Sequence, residues 1–259
     1  KNLKTLEASG YYYSQNPDKE KFDIDIKLDK FDLSFFGQYL TSFASNLEGS
    51  ASGSARFTGS FNDPDINGIF NLRQGSITID YLNTTYSFAN PLRITRNSFV
   101  FDKWVVFDKL GNTAQINGIV THNNFYDFKY DFKINANKTL CLNTNFVNNT
   151  LYYGEAFATG NANLKGDEKT IDVKVNAKTE RGTRLFIPID YVEDYSESNL
   201  ITFIDKNNLN KNLNAVANVD LSWITMEMNI DVSNDAEVQI IFDSNIGDIM
   251  RGNGNGNLK

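Results

Sequence analysis

Histidine and cysteine are almost missing from this chain: among 259 residues there is one of each, His122 and Cys141. A lone cysteine excludes an internal disulfide framework and any multi-cysteine zinc site. Its flanks, Leu140 and Leu142, make it a small apolar residue of an extended stretch, not a nucleophile. A single histidine with no nucleophile motif around it removes His-rich metal centres and a Ser-His-Asp arrangement. Proline is scarce at 4 residues, so helix breaking is not what keeps the sequence extended. Basic residues form no stripe, and the net charge of −7 serves solubility while excluding the surface that nucleic-acid binding requires. No apolar run approaches the roughly 18 residues of a membrane-crossing helix. The longest, such as Trp104-Val105-Val106-Phe107, are strand-sized.

What the chain has in abundance is period-2 alternation rich in aromatic and β-branched residues, with 20 Phe and 12 Tyr. Phe22, Ile24, Ile26 and Leu28 alternate with Asp23, Asp25 and Lys27, and Ala55, Phe57, Gly59 and Phe61 with Arg56, Thr58 and Ser60. The pattern continues through Ile66-Gly68-Phe70-Leu72, Ile77-Ile79-Tyr81, Phe99-Phe101, Ile116-Gly118-Val120 and Phe128-Tyr130-Phe132-Ile134. It returns in Ile171-Val173-Val175-Ala177, Leu185-Ile187-Ile189, Met226-Met228-Ile230-Val232 and Val238-Ile240-Phe242. One-sided burial of this kind predicts an all-β protein built of antiparallel sheet with one wet face. The apolar face of such a sheet is either the core of a closed barrel or sandwich, or an open surface.

Turn residues punctuate the runs, as in Lys109-Leu110-Gly111-Asn112 and Lys165-Gly166-Asp167-Glu168. Gly59, Gly68, Gly118 and Gly160 fall inside strands on the apolar side, which predicts bends or close backbone approaches there. Two stretches break the alternation. Phe36, Leu40, Phe43 and Leu47 recur at helical spacing, predicting one short amphipathic helix over 34–47 whose stripe covers the core. Residues 191–214 are polar and Asn-rich, and predict a long loop or short-helix insertion between strands. The sequons at Asn83, Asn137 and Asn148 carry no weight, because Asn-rich sequence produces them by chance. The whole, 1–259, is expected to be a single β segment of a longer protein cut at both ends.

The unit apolar-x-Gly-x-apolar recurs in Phe57-Thr58-Gly59-Ser60-Phe61, Ile66-Asn67-Gly68-Ile69-Phe70 and Ile116-Asn117-Gly118-Ile119-Val120, as in a stacked repeat. The segment from Gly53 to Gly68, with its Asn62-Asp63-Pro64 turn, resembles a signature of the TamB family of AsmA-like envelope proteins. Further ordered similarities run through Asp108–Gly118, Tyr152-Tyr153-Gly154, Arg181–Ile189 and Asp235–Asp243. The resemblance implies an elongated sheet curled into an open trough, a β-taco, with an apolar interior. It implies a protein of the Gram-negative periplasm, anchored in the inner membrane by a segment outside this chain. It further implies carriage of phospholipid between the membranes and support of outer-membrane biogenesis with a TamA-type barrel partner. The near absence of residues that do chemistry predicts, separately, a non-catalytic chain with no cofactor.

On that reading the trough lining comprises Phe57, Phe61, Ile66, Phe70, Ile77 and Ile79, then Phe99, Phe101, Ile116, Val120, Phe128, Phe132 and Ile134. It continues with Ile171, Val173, Val175, Leu185, Ile187, Met226, Met228, Ile230, Val238 and Ile240. Leaving a ~15-carbon acyl chain in water costs on the order of 12 kcal/mol, which an unbroken apolar stripe offsets at near-equivalent successive positions. Fifteen to twenty stacked strands would span roughly 70–100 Å. Other functions compete. The same face, or an edge strand, would serve as a chaperone for outer-membrane β-strands. Asp63 and Asp65, or Asp102 and Asp108, are carboxylates that glycoside hydrolysis or calcium would need, although turns are rich in Asp for conformational reasons. An adhesin or glycan-binding module would use Tyr11, Tyr12 and Tyr13, which read more simply as a strand pairing with its neighbour.

Overall fold

The alternation resolves into one very large sheet. The computed structural model describes residues 5–14, 21–146, 152–188, 224–243, 248–253 and 256–258. Among the described residues sixteen strands join a single sheet. The first four, β1 (Leu6–Tyr13), β2 (Lys21–Asp32), β3 (Ala44–Ser60) and β4 (Asp63–Ile79), pair in chain order. Next come β5 (Thr84–Phe88), β6 (Pro91–Thr95), β7 (Ser98–Phe107), β8 (Thr113–Asn123), β9 (Tyr126–Thr144) and β10 (Tyr153–Asp167). The last six are β11 (Ile171–Thr179), β12 (Arg184–Pro188), β13 (Ile224–Val232), β14 (Glu237–Asp243), β15 (Asp248–Asn253) and β16 (Gly256–Leu258).

Several strands are halves of one interrupted rung. β5 and β6 both pair with β4, and β11 and β12 both pair with β10. In the same way β13 and β14 lie beside β11 and β12, and β16 and β15 beside those. The path across the sheet therefore has twelve strands and eleven steps between them, not fifteen to twenty strands. At ~4.8 Å per strand it spans about 53 Å, less than strand counting suggests.

Two adjacencies, β11 with β13 and β12 with β14, are parallel, so the sheet is not purely antiparallel. A parallel step needs a crossover of a dozen or more residues to return the chain to the start of the rung. Residues 189–223 make that connection. The expected 191–214 insertion lies within it, outside the described residues.

A line of irregularities crosses the sheet. At Lys30, Lys103 and Lys138 the backbone turns left-handed, with φ of 52°, 50° and 53°. Each lies in a register shift between neighbouring strands. In all three the lysine N–H, expelled from the ladder, donates to a side chain of the next strand at 2.9 Å: Ser52 Oγ, Asn117 Oδ1 and Thr159 Oγ1. A β-bulge adds one residue, bends its strand and restores facing. Thus Phe101 and Trp104, three apart, both lie in the apolar layer. At the β11–β12 break the Thr183 hydroxyl accepts from Phe157 N–H and donates to Phe157 O, both at 3.0 Å, replacing the missing ladder bonds.

The predicted 34–47 helix is instead a short 3₁₀ helix, Leu33–Tyr39, and β3 begins at Ala44. Asp32 caps it, its carboxylate accepting from Ser34 N–H at 2.9 Å. Leu33 alone of this helix is buried, while Phe35, Phe36, Tyr39 and Phe43 are exposed. The helical spacing therefore does not mark a core-covering stripe. Eleven residues of mostly aromatic and small polar type cannot complete enough α-turns before the strand pairing of Ala44 with Ile79 takes over.

Candidate functional site: the apolar face

Strand register assembles the alternating residues into rows that run across the sheet. One row passes through Ile26, Ala55, Gly68, Ile94, Phe99, Val120, Tyr130, Gly166, Ile171 and Ile224. The next holds Phe101, Gly118, Phe132, Leu164, Val173 and Met226. A third holds Trp104, Ile116, Ile134, Ala162, Val175 and Met228, and a fourth ends at Ala177 and Ile230. Phe57 stands opposite Ile66, Leu185 opposite Val238 and Ile187 opposite Ile240. Most expected lining residues are thus brought onto common rows.

Exposure divides these residues. Phe70 is buried in a core cluster with Leu33, Leu72, Phe88, Trp104 and Val106, and so packs the interior. Phe61, 74% exposed, sits at the β3–β4 tip, and Met226 and Met228 are each 37% exposed. The remaining expected lining residues are half-buried. Trp104, only 6% exposed, stacks on Phe88 with centroids 5.5 Å apart and donates from Nε1 to Pro91 O at 2.8 Å. Its place was not legible from alternation, because the Asp102-Lys103 bulge shifts it out of phase.

Glycine in the apolar rows makes room for rings. A Cβ on Gly118 would lie 2.0 Å from Phe132 Cδ1, and one on Gly75 would lie 2.2 Å from the Phe88 ring. Of the four expected close approaches only Gly118 is a ring-over-glycine contact; at Gly59, Gly68 and Gly160 a Cβ would instead meet main-chain atoms of the neighbouring strand.

The opposite face is polar and also organised in rows. Gln115, Asn135, Asn161, Asn176 and Asn229 occupy matched positions on five successive strands, a ladder of amides. Asn229 Nδ2 donates to Asn176 Oδ1 at 3.4 Å. Nearby, Asp131, Lys165 and Asp172 alternate in sign. This accounts for asparagine at strand positions: a one-residue slip would carry amides onto the apolar face.

Of the four carboxylates considered for catalysis or calcium, Asp102 lies exposed on β7 and the other three are engaged in the fold. Asp63 pairs with Arg96, and Asp65 accepts from Asn67. Asp108 is buried and accepts from the N–H groups of Leu110, Asn112 and Leu140 at 2.8–2.9 Å. Burial alone would push its carboxyl up, but these bonds and one from Asn112 Nδ2 outweigh it and hold the group below the usual carboxylate range. Cys141 is pushed up to about 11 by burial, which leaves an inert thiol at neutral pH. Tyr11, Tyr12 and Tyr13 lie on β1, paired with Asp23, Phe22 and Lys21 as strand neighbours. Among the described residues no three His, Cys, Asp or Glu side chains gather as a metal site, and no helix is long and apolar enough to cross a membrane.

The model of the TamB C-terminal domain matches residues 106–259, well over half of the chain. The chain belongs to the TamB family. This is a Gram-negative envelope family of the translocation and assembly module, whose members act with a TamA-type partner. The matched TamB region begins at β7 and includes the ladder of amides and the more exposed apolar rows. No curated protein and no solved structure gives a significant match.

Proposed function

We propose that this TamB segment carries phospholipid acyl chains on its apolar face, within a periplasmic bridge between inner and outer membrane. The observation that carries this is the exposure of the rows on β10, β11 and β13. Val173, Val175, Met226 and Met228 lie side by side, half-buried to 37% exposed, with polar residues confined to the other face. A polymethylene chain laid along such rows gains roughly 0.8 kcal/mol per methylene removed from water. Successive rows offer nearly the same surface, so movement from one to the next meets little change in energy. Bulges and rung breaks crease the sheet, which supports a curl into a trough with its apolar side inward. Headgroups would ride along the open edge, and an anchor outside this chain would hold the protein in the inner membrane.

Phospholipid co-purifying with the protein, detected by mass spectrometry, is the expected result. Charged substitutions in the lining, Phe132→Asp or Ile187→Arg, are expected to abolish it while leaving the protein folded. A lipid-free protein whose apolar rows are fully covered by its own side chains contradicts the proposal.

A second reading has its own support. β1 is the first strand of the sheet order, and all eight of its residues are exposed. Such an edge suits addition of an outer-membrane β-strand. If the charged variants block lipid carriage but leave outer-membrane protein assembly intact, strand addition works independently of the apolar face. If assembly fails while lipid carriage persists in an edge variant, the chaperone role is the principal one.

A further inference from the structure

The β8–β9 hairpin turns at one rim of the sheet, and its tip is strained. Asn124, Phe125 and Asp127 have φ of 49°, 65° and 53°. Asparagine and aspartate tolerate that left-handed region, whereas a phenylalanine there is an outlier. His122 is what holds it. The Phe125 N–H donates to His122 Nδ1 at 3.1 Å, and the two rings stack with centroids 4.6 Å apart. Phe99 on β7 and Phe128 on β9 enclose the imidazole at 5.3 and 5.7 Å. Because Nδ1 accepts, the ring proton resides on Nε2, which is buried without a hydrogen-bond partner in the described structure.

The same tip is tied to two neighbours. The His122 N–H donates to Asn97 O at 3.0 Å, in the β6–β7 turn. Asn124 Nδ2 donates to Asn62 O at 3.0 Å, in the β3–β4 turn. Two hairpin tips of the rim are thereby fastened through a segment whose own conformation depends on one imidazole nitrogen.

We propose that His122 is a proton-operated latch on this rim. A proton taken from solvent onto the Nδ1 lone pair turns the acceptor of the Phe125 amide into a donor. The strained tip then loses its hold, and with it the tie to the β3–β4 turn. Charged groups around the cage are Asp127 in the tip, Lys129 beside Phe128, and Glu168, which accepts the Phe128 N–H at 3.2 Å. Arg96 and Asp63 pair with each other across the neighbouring turns. None of these sets the proton affinity of His122; burial does, and it lowers it. A histidine whose folded pKa is depressed contributes stability that is present above its unfolded value of 6.5 and is lost as pH falls through the folded value. The latch is therefore closed at neutral pH and opens below it. It rests on the hairpin geometry, whatever the apolar face binds.

As the sole histidine, His122 gives one imidazole C2–H resonance in a proton NMR titration of the full chain from about pH 8 to about pH 4. The expected midpoint lies below 6.5. Protection of the Phe125 amide, corrected for intrinsic exchange, is expected to fall at least about tenfold through the same midpoint. In His122→Asn, which offers an oxygen near the Nδ1 position and does not titrate, the acid step is expected to vanish. A midpoint at or above 6.5, protection unchanged through the wild-type titration, or a step that persists in His122→Asn overturns the latch.

Discussion

The sheet between β3 and β8 and the sheet between β10 and β13 are built from the same alternation, yet their apolar sides end differently. In the first, Phe70, Leu72, Phe88, Trp104 and Val106 are buried against one another in a single cluster that also takes in Leu33. In the second, Val173, Val175, Met226 and Met228 occupy equivalent rows but keep much of their surface. Hydrophobic patterning does not decide between core and lining. The decision falls to bends: where rungs curve so that β5 meets β9, three steps away in the sheet order, the face closes on itself. There Asn143 N–H donates to Leu82 O at 2.9 Å and the Tyr86 hydroxyl to Leu140 O at 2.8 Å.

The comparison breaks most readily at its packed side. Trp104→Ala removes the largest side chain of the cluster and is expected to cost about 3–5 kcal/mol in chemical denaturation. A loss below about 1 kcal/mol would mean the cluster is not a core. Asp108→Ala strands the amides of Leu110, Asn112 and Leu140, at a cost of about 3 kcal/mol. In the wild type the depressed carboxyl makes the corresponding stability full above the unfolded value near 4, lost as pH falls through the folded value. An acid-unfolding curve that is unchanged in Asp108→Asn would remove Asp108 from that role. Gly118→Val drives a side chain into the Phe132 ring and is expected to cost about 2 kcal/mol.

On the open side the same chemistry is expected to do less. Val175→Ala and Met228→Ala should each change stability by under about 1 kcal/mol, because less surface is withdrawn from water there. Asn161→Ala, in the middle of the amide ladder, should cost about 0.5 kcal/mol. Effects as large as that of Trp104→Ala at Val175 would erase the distinction between the two regions.

Many strands and their facing were readable from period 2 alone, as was the one-sided character of Phe128-Tyr130-Phe132-Ile134, but β5, β6 and β10 are not among the alternating runs. Other features were hidden by local geometry. Trp104 falls out of phase because Lys103 adds a residue, and Asn137-Lys138-Thr139, which resembles a chance sequon, carries the same device. An [Asp/Asn]-Lys-x pattern recurs at the three bulges, 29–31, 102–104 and 137–139, but it also falls in the turn at 108–110, so the pattern alone does not mark a bulge. The amide ladder required register, which one strand cannot reveal. The parallel step required knowing which strands are neighbours, information that lies in pairing across 35 intervening residues from 189 to 223. The aromatic spacing around Phe36 resembled a helix because no strand competes with it until Ala44.

The most direct measurement uses a photoreactive amino acid placed singly along β11 with phospholipid bound. Lipid adducts are expected from positions 171, 173 and 175, on the apolar side, and not from 172, 174 and 176 between them. Adducts of equal yield from both sets, or from neither, would contradict the claim that this face takes acyl chains.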